Sequence, residues 1–129
     1  MGVVSVVDGI VLHGDERGRK LGFPTANLAI GADVGLADGV YAGVVELEDG
    51  THHVAAISVG RRPQYYKAGE RLLEAHLLDF DGAAHGELYG ERIRVRVGEL
   101  VREQRSFGSE SELVEQIARD VEYVRAIPV

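Results

Sequence analysis

The 129-residue chain contains no cysteine, which excludes disulfide bonds and thiolate metal sites. Its apolar runs stay well short of the roughly 18 residues that a membrane-spanning helix needs. The N-terminus also lacks the basic segment that precedes the apolar part of a signal peptide. We therefore expect neither a membrane span nor a secretion signal, and we expect a cytoplasmic protein.

Positive charge is also scarce, since 14 Lys and Arg stand against 21 Asp and Glu and give a formal net charge of −7. This balance disfavours a general role in binding nucleic acids or anionic membranes. A basic cluster at Arg17, Arg19 and Lys20 stands out against that background. The length fits a single domain spanning residues 1–129, because domains commonly contain about 100–150 residues.

Segments that are rich in β-branched residues or alternate apolar with polar residues predict five strands, at residues 3–12, 39–47, 51–59, 71–80 and 91–97. The Asp49-Gly50 pair predicts a hairpin between the second and third of these strands. Residues 71–80 would also suit a helix. The Asp81-Gly82 pair that follows them favours a strand ending in a turn.

Near the C-terminus, Ser109 and Glu112 have the spacing of a helix capping box. Apolar residues then follow at helical spacing: Leu113, Ile117, Val121 and Val124. The pattern predicts an amphipathic helix that ends before Pro128 and covers the core of the fold. Five or six strands followed by one helix predict a mainly β protein, a small antiparallel barrel capped by that helix.

Residues 13–28, HGDERGRKLGFPTANL, show neither helical periodicity nor strand alternation. Their glycines allow a ligand to approach backbone N–H groups closely, and the basic side chains could attract an anion. Pro24 should present Thr25 and Asn27 from a stiff turn, as hydroxyl and amide oxygens of the kind that Mg²⁺ accepts. These features alone leave open whether the segment is a binding loop or a solvated glycine-rich loop.

A second group of interest lies in the fourth predicted strand, where Glu74 and His76 share one face. A carboxylate beside an imidazole on an otherwise apolar strand could serve acid–base chemistry. Taken alone, the pattern favours the simpler interpretation that both side chains face solvent while Leu77 lies in the core.

The run from Gly18 to Leu28, GRKLGFPTANL, resembles the signature of riboflavin kinases (flavokinases), including the kinase module of bifunctional bacterial FAD synthetases. The resemblance covers nearly the whole chain. The other matching residues are Gly9, His13-Gly14, Gly39-Val40-Tyr41-Ala42, Ser58-Val59-Gly60, Arg62-Pro63, Glu74-Ala75-His76, Asp79-Phe80, Leu88-Tyr89-Gly90, Arg102, Phe107, Ser109 and Leu113. The resemblance implies a six-stranded antiparallel Greek-key barrel with a C-terminal helix.

The resemblance further implies transfer of the ATP γ-phosphate to the 5′-hydroxyl of riboflavin, giving FMN. It makes Glu74 the catalytic carboxylate and Thr25 and Asn27 the residues that hold Mg²⁺ and contact the nucleotide phosphates. The remaining implied roles are ATP binding for Gly9, Gly14, Arg19, Asp79 and Tyr89, and flavin binding for Arg102 and Phe107. Riboflavin and ATP are then the expected partners of a monomeric enzyme that binds neither nucleic acid nor membranes.

The sequence departs from the family pattern at Arg61 and Gln64-Tyr65-Tyr66 around Pro63, and at two further residues near the predicted sites. Glu16 places a negative charge near the expected phosphates, and Gln104 stands where an Arg-x-Glu element is expected before Phe107, although the adjacent Glu103 could compensate. These departures motivate an alternative, a flavin-binding module that acts as a carrier or sensor with little or no turnover. A barrel used purely for protein interaction is a third possibility. The sequence also leaves open whether the kinase stands alone or is part of a bifunctional protein.

Overall fold

The computed structural model describes residues 5–12, 24–31, 34–61, 71–78, 80 and 88–127. Within these residues the chain forms six strands and one helix, which confirms the mainly β fold with a C-terminal helix. The elements are β1 Ser5–Ile10, β2 Thr25–Ile30, β3 Gly39–Glu46, β4 His52–Arg61, β5 Arg71–Leu77, β6 Arg92–Arg102 and α1 Glu110–Ala126.

The six strands form one antiparallel sheet in the order β1-β6-β3-β4-β5-β2. Strands β3, β4 and β5 follow one another directly, and β6 returns to lie beside β3, which is the Greek-key arrangement. The two edge strands approach each other where the Leu12 N–H donates to the Asn27 carbonyl oxygen at 2.7 Å. The sheet is therefore a nearly closed barrel, as the resemblance implied.

Side-chain alternation explains why these segments are strands. In β6, Ile93, Val95 and Val97 are buried, whereas Arg92 and Arg94 are exposed, so the predicted half-buried strand at 91–97 is confirmed. It continues to Arg102, beyond the predicted end. The segment at 71–80, which would also have suited a helix, forms the strand Arg71–Leu77, and the hairpin between β3 and β4 is present.

Strand β2 was not predicted from its own residues, and the expectation of a stiff turn at Thr25 and Asn27 is wrong. Residues Thr25–Ile30 pair with β5 along their whole length. Ala26, Leu28 and Ile30 contribute to the barrel core. Their alternation with Thr25 and Asn27 is weak as a sequence pattern, because alanine is small and the strand has only six residues.

Helix α1 begins as predicted, since the Ser109 hydroxyl accepts from the Glu112 N–H at 3.2 Å. The Glu112 carboxylate accepts from the N–H of Gly108, one residue earlier than in the usual capping box, at 2.8 Å. The helix packs on the outer face of the barrel, not on its interior, and forms a second apolar cluster there: Ala42, Ala56, Leu78, Ile117, Val121 and Val124. Across the described residues, no helix has both the length and the apolar character needed to cross a membrane.

Candidate active site

One row of residues crosses five strands on the outer face of the barrel. Its members are directly opposed in register from β6 to β2: Arg102, Val40, Ser58, Glu74 and Asn27. Opposed residues of antiparallel strands project from the same face. Four strand spacings of about 4.8 Å place the ends of the row about 19 Å apart along the sheet. The row thus contains a predicted flavin-binding residue, Arg102, the predicted catalytic residue, Glu74, and a predicted Mg²⁺ ligand, Asn27.

A second row lies beside the first and contains Ala42, Ala56, His76 and Thr25. The Thr25 hydroxyl oxygen lies 3.2 Å from Nδ1 of His76. Glu74 and His76 do share one face, as predicted, but the expectation that this face is solvated is wrong. Their exposed fractions are only 4% for Glu74 and 5% for His76.

Helix α1 and the segment at residues 103–107 pack over the outer face of the barrel beside these two side chains. Together they enclose a pocket with about 620 Å³ of empty space, part of it open to solvent. Its lining combines an apolar wall with charged and polar groups: Val40, Ala56, Ser58, Glu74, His76, Arg102, Gln104, Arg105, Phe107, Leu113, Ile117 and Asp120. The predicted catalytic carboxylate therefore shares one pocket with both predicted flavin-binding residues.

Asn27 lies one strand beyond Glu74 and is 3% exposed. Among the described residues, its buried side-chain oxygen Oδ1 has no hydrogen-bond partner. A buried acceptor left in this state costs about 1–3 kcal/mol, so Oδ1 is suited to receive a ligand. Thr25, two residues away on the same face, offers a hydroxyl oxygen.

These neutral oxygens fit Mg²⁺, which accepts oxygen ligands and usually keeps substrate phosphates or water among them. No group of three or more His, Asp or Glu side chains suited to a metal occurs in the described part of the chain. A cation at Thr25 and Asn27 would consequently need further oxygens from another source. The phosphates of a bound nucleotide would supply them.

Arg102 faces the far end of the pocket, where its guanidinium group forms two hydrogen bonds with the carboxylate of Asp120 at 2.8 and 2.7 Å. Its Cζ atom lies 5.9 Å from the centre of the Phe107 ring, and Cζ of Arg105 lies 5.5 Å from the same centre. Two cations therefore lie beside one aromatic ring at this end of the pocket.

Gln104 has a structural role that accounts for its departure from the family pattern. Its Nε2 donates to the Ser58 hydroxyl and to the Val59 carbonyl oxygen, both at 2.9 Å. A glutamate could not donate to either oxygen and would face the Val59 carbonyl with a negative charge. Gln104 thus attaches the segment at 103–107 to β4 beside Glu74.

Two other predicted nucleotide-binding residues lie outside this pocket. Gly9 packs within the barrel wall, where an added Cβ atom would lie 3.1 Å from Cδ2 of Leu28. Tyr89 is 55% exposed in the turn before β6, and the next residue, Gly90, donates its N–H to the Val11 carbonyl oxygen at 2.9 Å. The predicted ATP-binding residues Gly14, Arg19 and Asp79, and the departure at Glu16, lie outside the described residues.

Sequence reasoning missed two polar residues of α1: Asp120, which lines the pocket, and Gln116, which donates a hydrogen bond to it. Both are buried on α1, with exposed fractions of 8% and 5%. They lie on the apolar stripe of the helix, among Leu113, Ile117 and Val121. A polar residue at such a position is a signal that could have identified them, because a buried polar group requires a partner.

Comparison with known proteins gives consistent results. The family model named Flavokinase, which is described as riboflavin kinase, matches residues 1–128. The bifunctional riboflavin kinase/FMN adenylyltransferase of Buchnera aphidicola subsp. Schizaphis graminum is 37% identical over 120 residues, which are 92% of this chain and 37% of that protein. The RNA-binding riboflavin kinase RibR of Bacillus subtilis is 37% identical over 122 residues, 94% of this chain and 50% of that protein.

A solved structure described as a macrolide-efflux protein from Streptococcus pneumoniae matches with a TM-score of 0.76 and 34% identity, covering 95% of this chain and 39% of that one. The chain spans between 37% and 50% of the length of the two curated relatives. The family model, by contrast, extends over nearly all of its residues. The resemblance deduced from the Gly18–Leu28 segment is confirmed: the chain belongs to the riboflavin kinase family, a family of transferases.

Proposed function

We propose that the chain is a riboflavin kinase, which transfers the γ-phosphate of ATP to the 5′-hydroxyl of riboflavin to give FMN and ADP. The observation that carries the proposal is the buried Glu74 carboxylate. It lies in register between Asn27, whose buried oxygen lacks a partner among the described residues, and Ser58, in a pocket that also contains Phe107. The proposed riboflavin site and the proposed site of the Mg²⁺–ATP complex then meet at the Glu74 carboxylate.

The pocket suits a flavin as the acceptor. Its apolar wall of Val40, Ala56, Leu113 and Ile117 and its aromatic ring at Phe107 would contact a planar heteroaromatic system. The row that runs from Arg102 through Ser58 to Glu74 carries polar side chains. These would accommodate the polyhydroxylated side chain of riboflavin. The flavin ring would therefore lie toward Phe107, with the 5′-hydroxyl directed toward Glu74.

Phosphoryl transfer needs little covalent assistance from the protein, so catalysis would depend on positioning and on neutralisation of charge. Glu74 would accept the hydrogen bond of the 5′-hydroxyl, orient its oxygen toward the γ-phosphate and take up its proton. General-base assistance of this kind contributes roughly 10²–10⁴-fold to a rate.

On the donor side, Thr25 and Asn27 would hold Mg²⁺ through a hydroxyl and an amide oxygen. The bound ion would neutralise part of the phosphate charge. Gly9, Gly14, Arg19, Asp79 and Tyr89 remain the predicted ATP contacts. We further propose that the protein acts as a monomer in the cytoplasm, where ATP is available, without nucleic acid or membrane partners.

The test is FMN formation from riboflavin and MgATP, measured by chromatography, for the wild type and Glu74→Gln. We expect the substitution to lower kcat by about 10²–10⁴-fold. Glu99→Gln, at an exposed position of β6, is the matched control and should retain full activity. Riboflavin binding without ATP consumption would overturn the proposal and favour the carrier or sensor alternative.

A further inference from the structure

A hydrogen-bonded network joins α1 to the end of the pocket that contains Phe107. Arg102 and Asp120 form a two-bond ion pair in which the side chains are only 17% and 6% exposed. The Asp120 carboxylate also accepts from Nε2 of Gln116 at 3.0 Å. Oε1 of Gln116 accepts in turn from the Arg105 guanidinium group at 3.1 Å. Two helix residues thereby hold both arginines that lie beside Phe107.

The network restricts the orientation of Arg102 in particular. Its Nη1 donates to the Glu103 carbonyl oxygen at 3.1 Å, while Nε and Nη2 are occupied by Asp120. An arginine side chain has many accessible rotamers, and a two-bond carboxylate contact selects one of them. Contacts within the protein therefore hold the guanidinium group beside the Phe107 ring.

We propose that Asp120 is a positioning residue for the acceptor site, holding the Arg102 guanidinium group against Phe107 so that the two form a preorganised surface for the flavin. The inference rests on the proposed function, because it assumes that this pocket binds riboflavin. It adds a role for α1, which then shapes the acceptor site as well as covering the outer face of the barrel.

A purely structural ion pair would join α1 to β6 without influencing the ligand. A structural role and a positioning role of the Arg102–Asp120 pair predict different effects when the pair is removed. Loss of a structural pair lowers the melting temperature and leaves the affinity of the folded protein for riboflavin unchanged. Loss of a positioning contact weakens riboflavin binding, and its effect depends on the presence of Arg102.

The experiment measures riboflavin dissociation constants by fluorescence quenching, without ATP, for the wild type, Asp120→Asn, Arg102→Ala and the double variant. We expect Asp120→Asn to weaken binding about tenfold, the scale of one charge-assisted hydrogen bond. In the Arg102→Ala background the same change should have no further effect. The matched control is Glu115→Gln on the same helix, whose side chain is 68% exposed and pairs with Arg119 at 4.0 Å. It should bind riboflavin as the wild type does.

A second variant covers the case in which Asp120→Asn does not fold. Asp120→Glu keeps the charge pair but moves the carboxylate by one methylene group, which displaces the guanidinium group. We expect it to fold and to bind riboflavin at least about threefold more weakly, a fraction of the loss of one charge-assisted hydrogen bond.

The outcomes separate this inference from the proposed function. Wild-type affinity in a folded Asp120 variant, or an equal loss with and without Arg102, would overturn the positioning role alone. A wild-type protein that binds no riboflavin would overturn the proposed function, and the positioning role with it.

Discussion

Replacing Asn27 by leucine should leave the protein without ligand at least as stable as the wild type, while abolishing its stabilisation by magnesium nucleotide. The reason lies in Oδ1 of Asn27, which is buried without a hydrogen-bond partner among the described residues. Such an acceptor costs about 1–3 kcal/mol, and leucine has a similar branched shape without the polar oxygen. We expect the free energy of unfolding to stay equal or to rise by about 1 kcal/mol.

Gln104→Leu provides the contrast, because it also replaces an amide side chain by leucine. Here the amide is satisfied, and its removal leaves the Ser58 hydroxyl and the Val59 carbonyl without their donor. The free energy of unfolding should fall by about 2 kcal/mol. If Asn27→Leu keeps or raises the free energy of unfolding while Gln104→Leu lowers it, the Asn27 amide serves ligand binding and lowers the stability of the fold.

The assay is thermal unfolding with and without MgADP. At a nucleotide concentration about 100 times the dissociation constant, the wild type should gain about 2.7 kcal/mol, and Asn27→Leu should gain nothing. Without ligand, a gain of about 1 kcal/mol corresponds to a rise of about 4 °C in melting temperature for a chain of this size. A variant that is clearly less stable than the wild type, yet still stabilised by MgADP, would show that Asn27 supports the fold and does not bind the nucleotide complex.

Two further substitutions test the fold that supports the site. Gly43→Ala should lower the free energy of unfolding by about 2–3 kcal/mol in urea denaturation, because the added Cβ would clash with Cδ1 of Ile57 and lie 2.5 Å from the Arg96 carbonyl oxygen. An unchanged midpoint would show that the β3–β6 contact is looser than described. Ser109→Ala should cost about 1 kcal/mol by removing the N-cap of α1, whereas Ser111→Ala, at an exposed position of the helix, should cost nothing. Equal stabilities of these two variants would contradict the capping role.

Local patterns predicted the elements whose formation depends on local interactions. The capping residue Ser109 and the apolar spacing from Leu113 to Val124 lie within α1 itself, so the helix was predictable. The strict alternation from Ile93 to Val97 similarly defined β6. Strand β2 was missed because its hydrogen bonds come from β5, more than forty residues away, and its own alternation is weak.

The site was harder to predict than the fold, because its burial arises from segments distant in the sequence. Glu74 and His76 face outward from the barrel, which for an isolated sheet means solvent. In the described part of the chain, α1 and the segment containing Phe107 fold back over this face, and both side chains are buried. The sequence identified Glu74 by family resemblance, but the partner of Arg102 emerged only from the packing of Asp120 against it.

In the proposed mechanism, the acceptor hydroxyl contacts Glu74 beside a metal held by Thr25 and Asn27. A crystal structure of the protein with riboflavin and MgADP would show whether these groups meet. We predict the riboflavin 5′-hydroxyl within about 2.6–3.2 Å of a Glu74 carboxylate oxygen, the flavin ring against Phe107, and Mg²⁺ bound to Oδ1 of Asn27. A flavin bound outside this pocket, or a 5′-hydroxyl directed away from Glu74, would contradict the proposed mechanism.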